Sequence, residues 1–154
     1  MEQERQQRGD KVTVKEFVDS IRTEAEEGYN GFLEALEKKT VKVVRSGFLL
    51  EKKALTLAVY PTATSGSTYS ESNGESSVNI TFQMFCNRNA TEEGVEEALE
   101  YYSAFIAWIG ETTFGKYSDE VQSVICRMDE GEPVNGFIVL LSSRLGDLTD
   151  CGWG

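Results

Sequence analysis

The chain has 154 residues, of which 40% are hydrophobic and 27% are charged, a composition typical of a folded domain rather than of a disordered chain. Its 15 basic and 26 acidic residues give a net charge of −11, which disfavours nonspecific binding to nucleic-acid phosphates. Histidine is absent and the three cysteines are widely spaced, so we expect neither a zinc site nor a catalytic system that depends on histidine.

The length fits one domain, which we predict to span residues 12–147. Residues 1–11 are polar and charged, and they are predicted to form a flexible N-terminal segment without the apolar stretch of a secretory signal. Residues 148–154 are predicted to form a C-terminal tail. No apolar run approaches the roughly 20 residues that a membrane span needs, so no membrane insertion is expected.

The first predicted element is an amphipathic helix that begins after Thr13. The segment Thr13-Val14-Lys15-Glu16 has the form of a capping box. Apolar residues then recur with the spacing of one helix face: Val14, Phe17, Val18, Ile21 and Ala25. Gly28 and Gly31 are predicted to end or bend this helix, and a short second helix is predicted over 32–38. The residues of the second helix that face the core are predicted to be Phe32, Ala35 and Leu36.

Three strands are predicted next, over 41–44, 55–60 and 78–86. Pro61 is predicted to end the second of them. In the third, alternate residues place one apolar face against the core: Val78, Ile80, Phe82, Met84 and Cys86. Residues 62–77 between these strands are predicted to form a long polar loop. A loop of this length is usually functional or disordered, and we expect it to be mobile in the isolated subunit and to become ordered on contact with a neighbour.

A helix of about twenty residues is predicted after Thr91, with Gly110 near its end. Its core stripe is predicted to be Val95, Ala98, Leu99, Tyr102, Phe105, Ile106 and Ile109. Strands over 121–128 and 137–141 follow, joined by a turn at 129–133. The order of elements predicts an α+β fold with a largely antiparallel sheet of four to five strands and two main helices packed on one face.

The centre of the core is predicted to contain ten apolar residues: Phe17, Ile21, Leu57, Val59, Ile80, Phe82, Leu99, Phe105, Ile106 and Ile138. Tyr101 and Trp108 lie beside the predicted stripe, where they either widen the core contact or anchor a protein interface. Trp153 either folds back on its own domain or docks on a neighbour. The candidate residues of a partner interface are Tyr60, Pro61, Tyr69, Trp108 and Trp153.

No catalytic, cofactor-binding or metal-binding residues are predicted, and the chain is not expected to be an enzyme, although a site built from carboxylates alone stays open. Ser65-Gly66-Ser67-Thr68 lacks the pattern of a phosphate-binding loop. Leu50-Glu51-Lys52-Lys53 lacks the upstream acidic partner that a metal-dependent nuclease needs. The glutamates of the long helix are predicted to form a solvated face, with a partner surface as the alternative: Glu92, Glu93, Glu96, Glu97 and Glu100.

The element order over residues 12–143 is an amphipathic helix, two strands, a long polar loop, a strand, a long helix and a closing strand pair. The most suggestive stretch is Val78-Asn79-Ile80-Thr81-Phe82-Gln83-Met84-Phe85-Cys86-Asn87-Arg88-Asn89, a strand that leads through a short loop into the long helix. This layout resembles that of the tail terminator or tail-completion proteins of long-tailed bacteriophages. In that family the corresponding strand and helix form the subunit core.

The resemblance implies a structural role without catalytic residues. Six copies usually close into a ring that caps the tail tube and joins it to the head. The chain is accordingly expected to form a homo-oligomeric, hexameric ring with tail tube and head-connector proteins as partners. DNA would pass through the ring without specific binding, and the ring would belong to the virion after assembly in the bacterial cytoplasm.

The alternative interpretation is an acidic adaptor, or an inhibitor that mimics DNA and acts on a nucleic-acid-handling protein. The net charge of −11 would then supply carboxylates in place of phosphates. Lysines and arginines interrupt most of the acidic runs, which argues against this interpretation. The two classes differ in the expected mass in solution, a ring in the first case and a monomer or dimer in the second.

Overall fold

The computed structural model describes residues 13–47, 55–64 and 77–144, and its fold is the predicted α+β class. The helical elements are α1 (Val14–Glu24), a π-helical turn (Ala25–Tyr29), α2 (Asn30–Ala35), α3 (Glu92–Glu111) and α4 (Thr113–Lys116). The strands are β1 (Lys42–Val44), β2 (Thr56–Thr64), β3 (Ser77–Asn87), β4 (Ser118–Asp129) and β5 (Glu132–Arg144). The predicted segments 1–11 and 148–154 lie outside the described residues.

The strands of the described residues form one five-stranded sheet in the order β1-β2-β3-β5-β4, in which β1 and β2 are parallel and all other pairs antiparallel. The two edge strands are therefore β1 and β4. One row of paired residues crosses the whole sheet: Val43, Leu57, Met84, Phe137 and Ile125. Helix α1 packs against β2 and helix α3 against β3, β4 and β5, so the core lies between the sheet and one layer of helices.

The N-terminal helix begins as predicted, since the Thr13 hydroxyl accepts a hydrogen bond from the Glu16 N–H at 3.1 Å. The two glycines do not end the helix, because the chain continues through the π-helical turn into α2; the predicted irregularity takes the form of this turn, which contains Gly28. A π turn contains an extra residue and so rotates the following face around the helix axis. Tyr29 and Leu33 are fully buried as a result, whereas Ala35 and Leu36, which were predicted to face inward, are exposed.

Strand β2 is longer than predicted. It passes through Pro61 and ends at Thr64, with a shift in its pairing to β3 between Pro61 and Ala63. A proline is tolerated at such an irregularity because the ladder hydrogen bonds are already interrupted there. Strand β3 begins at Ser77, so both ends of the predicted loop 62–77 belong to strands, and residues 65–76 lie outside the described residues.

Helix α3 is capped as predicted, with the Thr91 hydroxyl accepting a hydrogen bond from the Gly94 N–H at 3.0 Å. Its buried face differs from the predicted stripe and consists of Gly94, Ala98, Tyr101, Ala104, Phe105, Trp108 and Ile109. Leu99 and Ile106, both predicted in the core, are 42% and 38% exposed. Ile138 is only half-buried, because it alternates with the buried Phe137 and Val139 and therefore lies on the other face of the sheet.

Two contacts with the π-helical turn explain the rotation of α3. A Cβ atom on Gly28 would lie 2.5 Å from Nε1 of Trp108, so the missing side chain at Gly28 leaves room for the indole ring. The Tyr29 hydroxyl donates a hydrogen bond of 2.7 Å to the carbonyl oxygen of Tyr101. Both contacts draw the Tyr101 and Trp108 side of α3 into the core, which turns Leu99 and Ile106 towards solvent.

Candidate partner-binding surfaces

The predicted interface residues are not brought together within the described residues. Tyr60 and Pro61 are neighbours on β2. Tyr60 is half-buried and donates a hydrogen bond of 3.0 Å to the side-chain oxygen of Gln83. Pro61 is exposed. Tyr69 and Trp153 lie outside the described residues. The sequence-derived interface is therefore reduced to the Tyr60–Pro61 pair, of which Tyr60 lies on the sheet face that alternates with the core.

Trp108 belongs to the subunit core rather than to its surface. It is 4% exposed, and its ring lies 5.6 Å from that of Phe105 and 5.9 Å from that of Tyr29, centroid to centroid. Tyr101 is 3% exposed. Of the two interpretations of these aromatic residues, the structure supports the wider core contact, because an anchor for another molecule has to reach solvent.

An apolar stripe of α3 stays in contact with solvent and was missed by the sequence analysis as a surface. It consists of Val95, Leu99, Tyr102 and Ile106, which recur at the spacing of one helix face. Val95, Leu99 and Ile106 are 37%, 42% and 38% exposed, and Tyr102 is half-buried. A helix normally turns one such stripe to the core, whereas α3 buries the neighbouring face and leaves this one uncovered.

The apolar stripe faces the β4 edge of the sheet. The Tyr102 ring lies 5.7 Å from that of Phe137 on β5, the strand next to β4. On β4 itself, Ile125 is half-buried and Val121 is 56% exposed. Among the described strands none pairs beyond β4, so this side of the subunit combines exposed apolar side chains with an open sheet edge, a combination typical of protein contacts.

A second surface lies at the opposite edge of the sheet. The chain between α2 and β1 borders an open cleft of about 730 Å³, which we call the lysine cleft. Its lining includes Lys38, Lys39, Lys42, Leu55, Cys86 and Tyr101. Lys39 and Lys42 are exposed, while Lys38 forms an ion pair with Glu100 of α3. Glu37 and Glu97 line the same cleft, so its three lysines stand beside two carboxylates rather than forming a purely positive surface.

The polar groups at the base of the lysine cleft are held in fixed contacts. The Tyr101 hydroxyl donates a hydrogen bond of 2.8 Å to the carbonyl oxygen of Lys39, and the Cys86 thiol donates to the Glu97 carboxylate at 2.8 Å. Burial, followed by the Glu97 carboxylate, raises the pKa of Cys86. A thiol with a raised pKa stays protonated at neutral pH and is a poor nucleophile, so these groups shape the cleft rather than supply chemistry.

Alkaline pH is expected to destabilise the protein. Burial raises the pKa of Tyr101 to about 12, and it also raises the pKa of Tyr29 and of Cys86. Above about pH 9–10 the unfolded chain loses these protons while the folded chain retains them, so stability is fully present below this range and falls as the pH rises. Urea midpoints at pH 8 and pH 10.5 measure the loss.

The variant Tyr29→Phe supplies the control for the alkaline prediction, because it removes one hydroxyl that resists ionisation. Its urea midpoint should fall less between pH 8 and pH 10.5 than that of the wild type. Equal midpoints of the wild type at the two pH values would contradict the prediction.

The glutamates of α3 form an exposed acidic face. Five glutamates of this face are exposed: Glu92, Glu93, Glu96, Glu97 and Glu100. Glu97 accepts a hydrogen bond from the Cys86 thiol, and Glu100 forms an ion pair with Lys38. In the part of the chain that the structure describes, no three histidine, cysteine or acidic side chains are grouped as a metal ion would require. No helix there is long and apolar enough to span a membrane.

In comparisons with known proteins, no family model matches the chain and no curated protein has a significantly similar sequence.

Proposed function

We propose that the chain is a structural subunit that joins copies of itself into a closed ring, and that the ring is a tail terminator or head–tail joining ring at the end of a bacteriophage tail tube. The observation that carries self-association is the apolar stripe on α3, uncovered beside an edge strand. The assignment to a phage tail rests on the element order over residues 12–143, which resembles that of the tail terminator family.

Identical subunits that join through two different surfaces form a ring when the rotation between neighbours closes a full turn. By the family resemblance the ring contains six copies, and tail tube and head-connector proteins bind its ends. The ring assembles in the bacterial cytoplasm and becomes part of the virion. The net charge of −11 per subunit favours passage of DNA through the ring without specific binding, because like charges repel.

The test is the mass in solution of a double variant of the apolar stripe, Leu99→Lys with Ile106→Lys. By light scattering after size exclusion, the wild type should have the mass of a multimer, and the double variant that of one chain, 17.2 kDa. Ser103→Lys with Ala107→Lys is the matched control, because both residues are exposed on α3 outside the apolar stripe and the charge change is the same. The control should assemble like the wild type.

Two results would overturn this function. One is a wild-type mass of a single chain at every concentration tested; the other is unchanged assembly of the double variant. The acidic adaptor is the second candidate, and the exposed glutamates of α3 favour it. A wild-type monomer that binds a nucleic-acid-handling protein in competition with DNA would support that candidate instead.

A further inference from the structure

We infer that the outer edge of the sheet at β1 is closed by the side chains of Asn30 and Arg22, and that this closure keeps the β4 edge of a second copy from adding to it. The inference goes beyond the proposed function, because it concerns a contact that the copies are prevented from making. It rests on the hydrogen bonds of the two side chains and on the directions and lengths of the two edge strands.

Asn30 takes the place of a neighbouring strand beside the residue that precedes β1. Its side-chain oxygen accepts a hydrogen bond of 2.8 Å from the Val41 N–H, and its side-chain nitrogen donates one of 3.1 Å to the Val41 carbonyl oxygen. Two opposite residues of antiparallel strands exchange the same pair of bonds through their backbones. The Asn30 carboxamide therefore occupies both backbone groups of Val41 that an added strand would need.

The backbone groups of Val41 lie on the outer edge of the sheet. The next residue, Lys42, donates its N–H to the carbonyl oxygen of Leu55 at 3.0 Å, so its backbone groups face β2. In an extended chain the backbone groups of successive residues point to opposite edges. Those of Val41 and Val43 therefore point away from β2, towards the position that a further strand would take.

Arg22 covers the other end of β1. Its Nη2 donates a hydrogen bond of 3.2 Å to the carbonyl oxygen of Arg45, directly after β1, and its Nε donates one of 2.9 Å to the carbonyl oxygen of Val59 on β2. An ion pair of 2.8 Å with Asp19 on the same helix holds the guanidinium in place. Val43 thus lies between two side chains that are bonded to the backbone on either side of it. A three-residue strand enclosed in this way is a poor template for a further strand.

The closure has a consequence because the two edge strands would otherwise fit each other. β1 is parallel to β2, and three antiparallel pairings lead from β2 to β4, so β4 runs antiparallel to β1. Two copies side by side in the same orientation would therefore place β4 of one antiparallel to β1 of the next, with both helical layers on the same face. Such a head-to-tail contact repeats without limit unless the rotation between copies closes a ring.

β4 contains a regular stretch that is long enough for this contact. Its pairing with β5 is irregular between Glu120 and Gln122 and again between Ile125 and Arg127. Residues 122–125 lie between these bulges in unbroken register, and no strand of the described residues pairs with their other side. Bulges are one of the devices that protect a sheet edge, yet here they leave uncovered a stretch about as long as β1. Protection against growth of the sheet therefore depends on the β1 edge.

The test variant, Asn30→Ala with Arg22→Met, removes the hydrogen bonds of both side chains and keeps an apolar stem at position 22. We expect its mass by light scattering to increase with concentration to at least about ten chains per particle, with fibres in electron micrographs, because head-to-tail addition no longer stops. The wild type should not exceed one limiting mass, either that of a single chain or that of a ring. A wild type that stays monomeric would overturn the proposed function and leave this test intact.

The matched control is Asn30→Asp with Arg22→Lys. It changes the net charge by the same amount as the test variant and alters the hydrogen bonds at the same two positions, but it leaves polar side chains over the β1 edge. The control should keep the limiting mass of the wild type. Circular dichroism verifies that each variant is folded. If the test variant does not fold, Asn30→Ala alone, which keeps Arg22, is compared with Asn30→Asp.

Mixing with wild type distinguishes edge-to-edge growth from aggregation of unfolded chains. In dilute solution a wild-type chain has an open β4 edge and a closed β1 edge, so it adds to one end of a fibre and stops growth there. One wild-type chain for about ten variant chains should therefore shorten the particles severalfold. Fibres that the wild type shortens support the inference. A folded test variant with the limiting mass of the wild type, equal growth of the control, or fibres whose length does not respond to wild type would each overturn it.

Discussion

Replacing Phe82 with alanine is expected to lower the free energy of unfolding by about 3–5 kcal/mol, the range for large aromatic side chains removed from a core. Phe82 is fully buried, and its ring centroid lies 5.0 Å from that of Phe105, 6.1 Å from that of Phe114 and 6.3 Å from that of Trp108. These rings belong to β3, α3 and α4, so the cavity would remove contacts among three elements at once.

The matched control is Leu99→Ala, which truncates a side chain that is 42% exposed. Its expected cost is about 1 kcal/mol, because almost half of the residue's surface is already in contact with water. Urea midpoints in dilute protein, where self-association does not contribute, measure both effects. Equal losses for the two variants would show that α3 buries a different face from the one described.

Replacing Gly136 with alanine is expected to cost about 3 kcal/mol or more, at or above the upper end of the range for overpacked sites. A Cβ atom at Gly136 would lie 2.0 Å from the carbonyl oxygen of Met84 and 3.3 Å from the Cα of Phe85. Both are backbone atoms of β3, so no side-chain rotation relieves the overlap. The β3–β5 pairing would have to shift at the centre of the sheet.

Gly110→Ala is the control for the Gly136 variant. Gly110 lies in α3 with no heavy atom within 4 Å of a Cβ placed there. Alanine has the higher helix propensity, so this variant should gain up to about 1 kcal/mol. Thermal unfolding of the two variants should therefore shift in opposite directions, and a Gly136→Ala protein as stable as the wild type would contradict the close β3–β5 approach.

The elements predicted best are those whose signal is local. Residues 78–84 alternate between apolar and polar side chains, and β3 contains them with all of the predicted face buried. Thr13 and Thr91 cap their helices because a threonine hydroxyl at the first position needs only the N–H three residues ahead. Neither signal depends on what packs against the element.

The candidate surfaces were less accessible to sequence reasoning. The lysine cleft joins residues 37–42 to Leu55, Cys86 and Tyr101, which are remote in the sequence and meet only through the β1–β2–β3 pairing and the packing of α3. The one sequence feature that indicated this cleft was the close spacing of Lys38, Lys39 and Lys42 in a chain with a net charge of −11. The apolar stripe was read correctly as a line of apolar residues but placed on the wrong side of the helix.

The sequence by itself determined the acidic charge, the α+β class, the starts of the two main helices and the central strand. The structural features among these follow from hydrophobic periodicity and helix capping, which depend only on a few neighbouring residues. Only the tertiary structure decided which side of α3 is buried. Apolar side chains cover more than half of that helix, so more than one rotation would bury an apolar face. The space left by the missing side chain of Gly28 is filled by Trp108, and the Tyr29 hydroxyl donates a hydrogen bond to the carbonyl oxygen of Tyr101. These residues are about 70–80 positions apart in the sequence. Their contacts select one rotation of α3 and leave Val95, Leu99 and Ile106 facing solvent.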